Sequence, residues 1–424
     1  MKDHDSQGRP IVVVTGAGMI TSLGAGKHEN WRQLAAGQSG IKLIERFPTD
    51  GLKTRIGGTV DFLLKEAVSS PELSHALAET AADEAIVQAK IGAPGRFPGP
   101  LFIAVPPVEV EWPHRETLAR ELNADGPITY PDLWRNVAGR HGDWHPLFLY
   151  GGVAERIADR FGTLGSPISL STACASGATA IQLGVEAIRR GETDAALTVG
   201  TDGSIHPETL VRFSLLSALS TQNDPPEGAS RPFSKNRGGF VMAEGAAALV
   251  LESLSSARAR GATILGVVEG CGERAESFHR TRPNPDGKAM MASMTLALED
   301  AGVTAGDIDY INAHGTSTPE NDKMEALACS AVFGDHMASV PISSNKSMIG
   351  HTLTAAGAVE AVISLMTIAN QTLPPTINYA LPDPTISLDV VPNSARAARV
   401  RRVMSNSFGF GGQNVALVLA GEPV

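Results

Sequence analysis

Two stretches of this chain nearly coincide. Ala175-Ser176-Gly177-Ala178 and Ala355-Ala356-Gly357-Ala358 stand 180 positions apart (355 less 175), and each leads into a helical pattern, at 179–190 and 359–370. Both halves also open on an apolar strand running into glycines, from Ile11 to Gly16-Ala17-Gly18 and from Ile264 to Gly270-Cys271-Gly272. Such recurrence predicts a unit built twice, residues 1–260 and 261–424. Short apolar runs at 101–105, 195–201, 246–252, 309–313, 403–407 and 415–420 alternate with helical patterns, which predicts α/β layers. The segment 106–150 breaks the pattern with Pro, Trp, His and charge, as in Glu111-Trp112-Pro113-His114. It reads either as an elaborated cap, where specificity often resides, or as an excursion towards a second copy of the chain.

Cys174 lies between an apolar run, in which Ile168, Leu170 and Ala173 fit a buried strand, and the small-residue start of the first helix. A thiol at a helix N-terminus meets unpaired N–H groups and the positive end of the dipole, which favours the thiolate. Small neighbours leave room for a substrate. Two histidines stand downstream in separate glycine-rich segments, His314 before Gly315 and His351 after Gly350. One cysteine with two such histidines points to acyl-thioester chemistry. The other cysteines, 271 and 329, give no CxxC spacing, so neither a disulfide framework nor a metal site is expected. A reducing, cytoplasmic setting fits.

The 42% hydrophobic and 19% charged residues are those of a globular chain. The net charge of −10 argues against a nucleic-acid binder. The polar start, Met1 to Pro10, has no secretory apolar core, and no run approaches the length of a membrane span.

Together the motifs resemble those of the elongating, type II β-ketoacyl-[acyl carrier protein] synthases. They are Val14-Thr15-Gly16-Ala17-Gly18, Thr172-Ala173-Cys174-Ala175-Ser176-Gly177, Arg231-Pro232-Phe233, Asn312-Ala313-His314-Gly315-Thr316-Ser317-Thr318, Asn345-Lys346-Ser347, Gly350-His351-Thr352 and Asn406-Ser407-Phe408-Gly409-Phe410-Gly411-Gly412. The resemblance implies a thiolase-like, duplicated five-layered αβαβα fold and a homodimer. It implies that Cys174 takes an acyl chain from a carrier-protein thioester and that a carrier-bound malonyl group loses CO₂ to supply the attacking carbanion. His314 and His351 would hold the enolate, and Lys346 would pair with Glu360. The backbone N–H groups of Cys174 and Phe408 would hold the acyl oxyanion, Phe408 and Gly409 would gate the pocket, and Val108 and Phe213 would line it. Thr316 and Thr318 would either bind the pantetheine arm or cap the helix beginning near Pro319. The implied partner is the acyl carrier protein. No cofactor of the enzyme's own is implied, since the phosphopantetheine belongs to the carrier.

Departures from the family pattern point to a specialised substrate or partner. Pro106-Pro107-Val108-Glu109 replaces a glycine-rich loop, Leu215 and Leu216 replace small residues, and Ser217 stands where a docking arginine is common. Ser234 and Gly238 replace aspartates around Arg237, and Thr354 replaces a glycine. The competing readings are a thiolase, which needs a second cysteine where Ser407-Phe408-Gly409 stands, a condensing enzyme for very long, unusual or polyketide-type chains, and a non-catalytic chain-length subunit.

Overall fold

The computed structural model describes residues 3–63, 69–122, 129, 131–132, 135 and 139–421, so part of the 106–150 segment lies outside the described residues. In chain order the first half supplies strands Val12–Thr21, Leu101–Ala104, Ile168–Leu170, Ala195–Asp202 and Gly245–Ser253. They lie side by side in the order third, second, fourth, fifth, first. The second half supplies Gly266–Ala275, Tyr310–Asn312, Pro341–Ser343, Arg402–Phe408 and Gln413–Ala420 in the same order, with Asp389–Val390 added outside. Directions repeat as well. In each half the fifth strand runs antiparallel to the first and fourth, while the second runs parallel to the third and fourth. The two first strands meet edge to edge, with Val13 opposite Val267, so the hydrogen bonding continues from one half into the other.

Helices make the remaining layers. Ser70–Ala89 covers the first sheet, Ser176–Arg189 and Ala356–Asn370 fill the middle, and Lys288–Ala301 with Pro319–Phe333 covers the second. The three largest apolar clusters fall between these layers. The result is the five-layered α/β arrangement expected of a duplicated chain.

The repeated glycines have a packing cause. A Cβ at Gly16 or Gly18 would sit 2.0 Å from the carbonyl oxygen of Ala85 or Ala81. In the second half, a Cβ at Gly270 or Gly272 would sit 2.2 or 2.1 Å from the carbonyl oxygens of Ala297 and Ser293. In both halves an outer helix presses its backbone onto the first strand, and only glycine admits it.

Two sequence expectations need correction. Ile168–Leu170 is the edge strand of its sheet, so Ile168 is 46% exposed rather than buried. One helical stretch among the described residues, Leu353–Asn370, is long and apolar enough to cross a membrane. It is 89% buried inside the protein, because it belongs to the middle layer between two sheets and must be apolar on nearly all sides.

Candidate active site

The site lies where the two middle helices begin. After the edge strand, Ala173 takes φ +50°, a left-handed conformation unfavourable for a residue with a Cβ, and the chain turns through Cys174 into Ser176–Arg189. Ser176 Oγ secures the turn by accepting the Thr172 N–H at 2.8 Å. This is the sharp strand-to-helix elbow expected from the sequence. The second half delivers His351 from the turn ahead of Ala356–Asn370 and His314 from the turn after Tyr310–Asn312.

The Cys174 thiol and one ring nitrogen each of His314 and His351 lie within 4.8 Å of one another, and all three residues are buried. The imidazoles meet edge to face at 5.3 Å between centroids. His351 Nδ1 accepts the N–H of Leu353 at 3.2 Å, so its proton sits on Nε2, which is buried without a partner. Burial, then the nearby Lys346 charge, holds both imidazoles well below the usual 6.5. They are therefore neutral at ordinary pH. By donor type the trio could also ligate a soft divalent metal.

Burial pushes the Cys174 thiol up to about 11, against the opposing pull of the Phe410 N–H and the Lys346 charge. This overturns the expected thiolate: desolvation outweighs the groups that favour the anion. Two backbone N–H groups are directed at the sulfur, that of Phe410 and that of Cys174 itself. Cys174 is one of the two expected at the acyl oxyanion, and Phe410 stands two residues beyond the other, Phe408.

Lys346 and Glu360 form an ion pair behind the trio, each side chain 4% exposed. Burial raises the Glu360 carboxyl to about 7, although Lys346 pulls the other way. Thr316, Thr318, Phe213, Phe408 and Gly409 join the trio around a cavity of about 580 Å³. Thr318 occupies the N-cap of Pro319–Phe333 without a capping bond, and its hydroxyl instead meets that of Thr316 at 2.9 Å. Val108 is the exception. Its neighbours Pro107 and Glu109 line the cavity, whereas half-buried Val108 is not among the lining residues.

Sequence reasoning missed two carboxylates. Glu325 is fully buried on Pro319–Phe333 and accepts the N–H groups of His314 at 2.8 Å and Gly315 at 2.7 Å, which fixes the histidine turn. Asp202 ends a fully buried strand and lines the cavity. For Asp202 the available signal was an acid closing an apolar run, whereas Glu325 follows the polar stretch Glu320-Asn321-Asp322-Lys323 and gave none. Arg237, expected to lack its usual partners, has others: Asp383 at 2.6 Å and Asp322 at 3.8 Å.

Residues 9–88 and 135–257 match the N-terminal domain of β-ketoacyl synthases, and residues 265–380 match the C-terminal domain. The chain is 38% identical to the 3-oxoacyl-[acyl-carrier-protein] synthase 2 of Coxiella burnetii over 96% of this chain and 98% of that protein. It is 36% identical to the tetracenomycin polyketide synthase ketoacyl synthase alpha subunit of Streptomyces glaucescens, over 96% of each. Among solved structures it superposes, at TM-score 0.87 and 32% identity, on a type II polyketide ketosynthase bound to its acyl-carrier protein and the hexaketide, covering 98% of this chain and 100% of that one. With both domains matched and curated relatives followed nearly end to end, the chain belongs to the β-ketoacyl synthase family, whose thiolase-like fold it carries.

Proposed function

We propose that this chain is a condensing acyltransferase that joins an acyl group on Cys174 to malonyl-[acyl carrier protein], giving 3-oxoacyl-[acyl carrier protein] in fatty acid elongation. The observation that carries the reading is the juxtaposition of one thiol with two neutral imidazoles, one of which directs an unpartnered Nε2–H into the same cavity. First the Cys174 sulfur attacks the acyl thioester and the carrier sulfur leaves. The thiol proton ends on that departing sulfur, so the exchange is neutral overall and needs no standing thiolate. Next the malonyl C–C bond breaks, CO₂ departs, and its electron pair becomes an enolate. Donors already fixed around the enolate oxygen stabilise it without reorganisation, the role assigned to His314 and His351. The enolate carbon then attacks the acyl carbonyl, whose oxyanion meets the backbone N–H groups of Cys174 and Phe410. The C–S bond breaks, and the released Cys174 thiolate takes from solvent the one proton that the decarboxylative condensation consumes.

The Thr316 and Thr318 hydroxyls suit the amides of a pantetheine arm, Lys346 and Glu360 set the local charge, and Phe408 with Gly409 gates the pocket. No metal or cofactor is needed. The partners are an acyl carrier protein and a second copy of the chain, which the exposed edge strand Ile168–Leu170 suits, and the setting is cytoplasmic. A second reading, a specialised enzyme for oxygenated acyl chains, draws on the polar lining of the cavity at Asp202, Ser204, His206 and Thr209. A non-catalytic subunit would have no use for the trio.

The test supplies acyl and malonyl carrier proteins and follows both CO₂ and 3-oxoacyl product. Product is expected from the native chain and none from Cys174→Ala, which the small site accommodates. Equal product from both would remove Cys174 from the reaction.

A further inference from the structure

One turn connects a buried acid to the His351 ring. Asp202 is 1% exposed, at the end of Ala195–Asp202, and Thr354 is 4% exposed, three residues after His351. Asp202 Oδ2 accepts the Thr354 N–H at 3.1 Å and its hydroxyl at 2.7 Å, and that hydroxyl also lies 2.7 Å from the Thr201 carbonyl oxygen. Asp202 Oδ1 accepts from the N–H and hydroxyl of Ser204. Between His351 and Thr354, Leu353 is held at φ +45°, a conformation that a leucine does not choose alone. It is this strained residue whose N–H reaches His351 Nδ1.

We propose that Asp202 and Thr354 are positioning residues for His351. They clamp the turn so that the Leu353 N–H occupies Nδ1, which keeps the His351 proton on Nε2 and aims it into the cavity. The backbone of His351 is pinned separately, its N–H to Val241 and its carbonyl to Ala243, so the clamp governs the ring more than the chain. The sequence read Thr354 only as a replaced glycine; its hydroxyl supplies a contact that glycine lacks. The inference rests on the reading of His351 as an enolate donor.

Two substitutions break the clamp differently. A carboxylate serves four donors here, but an amide presents a single accepting oxygen, so Asp202→Asn sets an NH₂ against either Thr354 or Ser204. Thr354→Val removes the hydroxyl and keeps the shape, and Thr354→Ser returns it. Malonyl-carrier decarboxylation and acyl transfer to Cys174 are measured separately, with His351→Ala as reference. Asp202→Asn and Thr354→Val should lower kcat for decarboxylation on the order of 10- to 100-fold, as misaimed groups do. For Thr354→Val, KM and the acylation rate should stay near native, and Thr354→Ser should restore decarboxylation. Asp202→Asn is read on decarboxylation alone, because the Asp202 charge also bears on the Cys174 thiol. Unchanged decarboxylation, equal loss in both half-reactions for Thr354→Val, or a serine variant no better than valine would overturn the proposal. If Asp202→Asn does not fold, the valine and serine pair decides alone. If His351→Ala itself spares decarboxylation, the reading of His351 fails; if it abolishes decarboxylation while the clamp variants do not, only the positioning role fails.

Discussion

Gly357→Ala should damage both stability and catalysis, because the two middle helices touch through their backbones. A Cβ on Gly357 would lie 2.5 Å from the Ala178 nitrogen, and a Cβ on Gly177 would lie 2.5 Å from the Ala358 nitrogen. Ordinary contact begins at 3.4 Å, so one methyl requires the helices to part by about 0.9 Å. Neither obstacle is the flexible end of a side chain. Overpacking of this kind costs about 1–3 kcal/mol. Cys174 stands three residues before Gly177, and His351 six before Gly357, so the parting acts on the distance between thiol and imidazole. A displacement of about 1 Å can cost roughly 10²-fold in rate. Thermal melting and steady-state condensation are the assays. Gly238→Ala is the control, since its Cβ would meet nothing within 4 Å, and it should stay within about 0.5 kcal/mol of native. Native melting and native turnover in Gly357→Ala would refute the claim that this crossing sets the site.

Three further outcomes are expected. Iodoacetamide should alkylate Cys174 slowly at neutral pH and about tenfold faster per pH unit towards pH 11, since only the thiolate reacts and burial holds the thiol near about 11; a rate flat above pH 7 would contradict the buried thiol. Phe408→Ala should loosen discrimination among acyl chains in competition assays, because its ring stands at the cavity 5.9 Å from His314; unchanged selectivity would remove it from gating. Arg282 lines the cavity and Arg280 adjoins it, its carbonyl accepting the Gly411 N–H, whereas Arg212 is engaged by Glu109 and Lys288 by Asp286, so Arg280 and Arg282 are the residues expected to dock a carrier protein. Reversing those two charges should raise KM for carrier-bound substrates in a salt-sensitive way and leave a small pantetheine thioester unaffected, whereas an equal loss with both would place docking elsewhere.

The layers were legible because their signals are local. The strands expected at 195–201 and 246–252 are Ala195–Asp202 and Gly245–Ser253, and the helix expected at 359–370 is Ala356–Asn370. The glycine runs marked the duplication correctly, but their cause, a helix backbone lying on a strand, is a tertiary contact that no local pattern records. Ile168 was misjudged for a similar reason: an apolar strand looks the same in sequence whether it is central or at an edge. The site was legible as residue types in glycine-rich turns. What stayed hidden was the set of buried acids that hold those turns, Glu325 on a helix after His314 and Asp202 at the end of a strand. The Cys174 thiol shows the other limit. A helix N-terminus is visible in sequence, whereas the desolvation opposing it depends on the whole surrounding cavity.

The central claim is that the two imidazoles serve the enolate rather than the thiol, and it is tested most directly by timing the half-reactions apart in His314→Ala and His351→Ala. Each variant should lose about 10²–10³ in release of labelled CO₂ from malonyl carrier protein, while labelled acyl transfer to Cys174 proceeds at near native rate. Equal loss in both half-reactions would assign the histidines to the thiol, and native CO₂ release from either variant would remove that histidine from the enolate site.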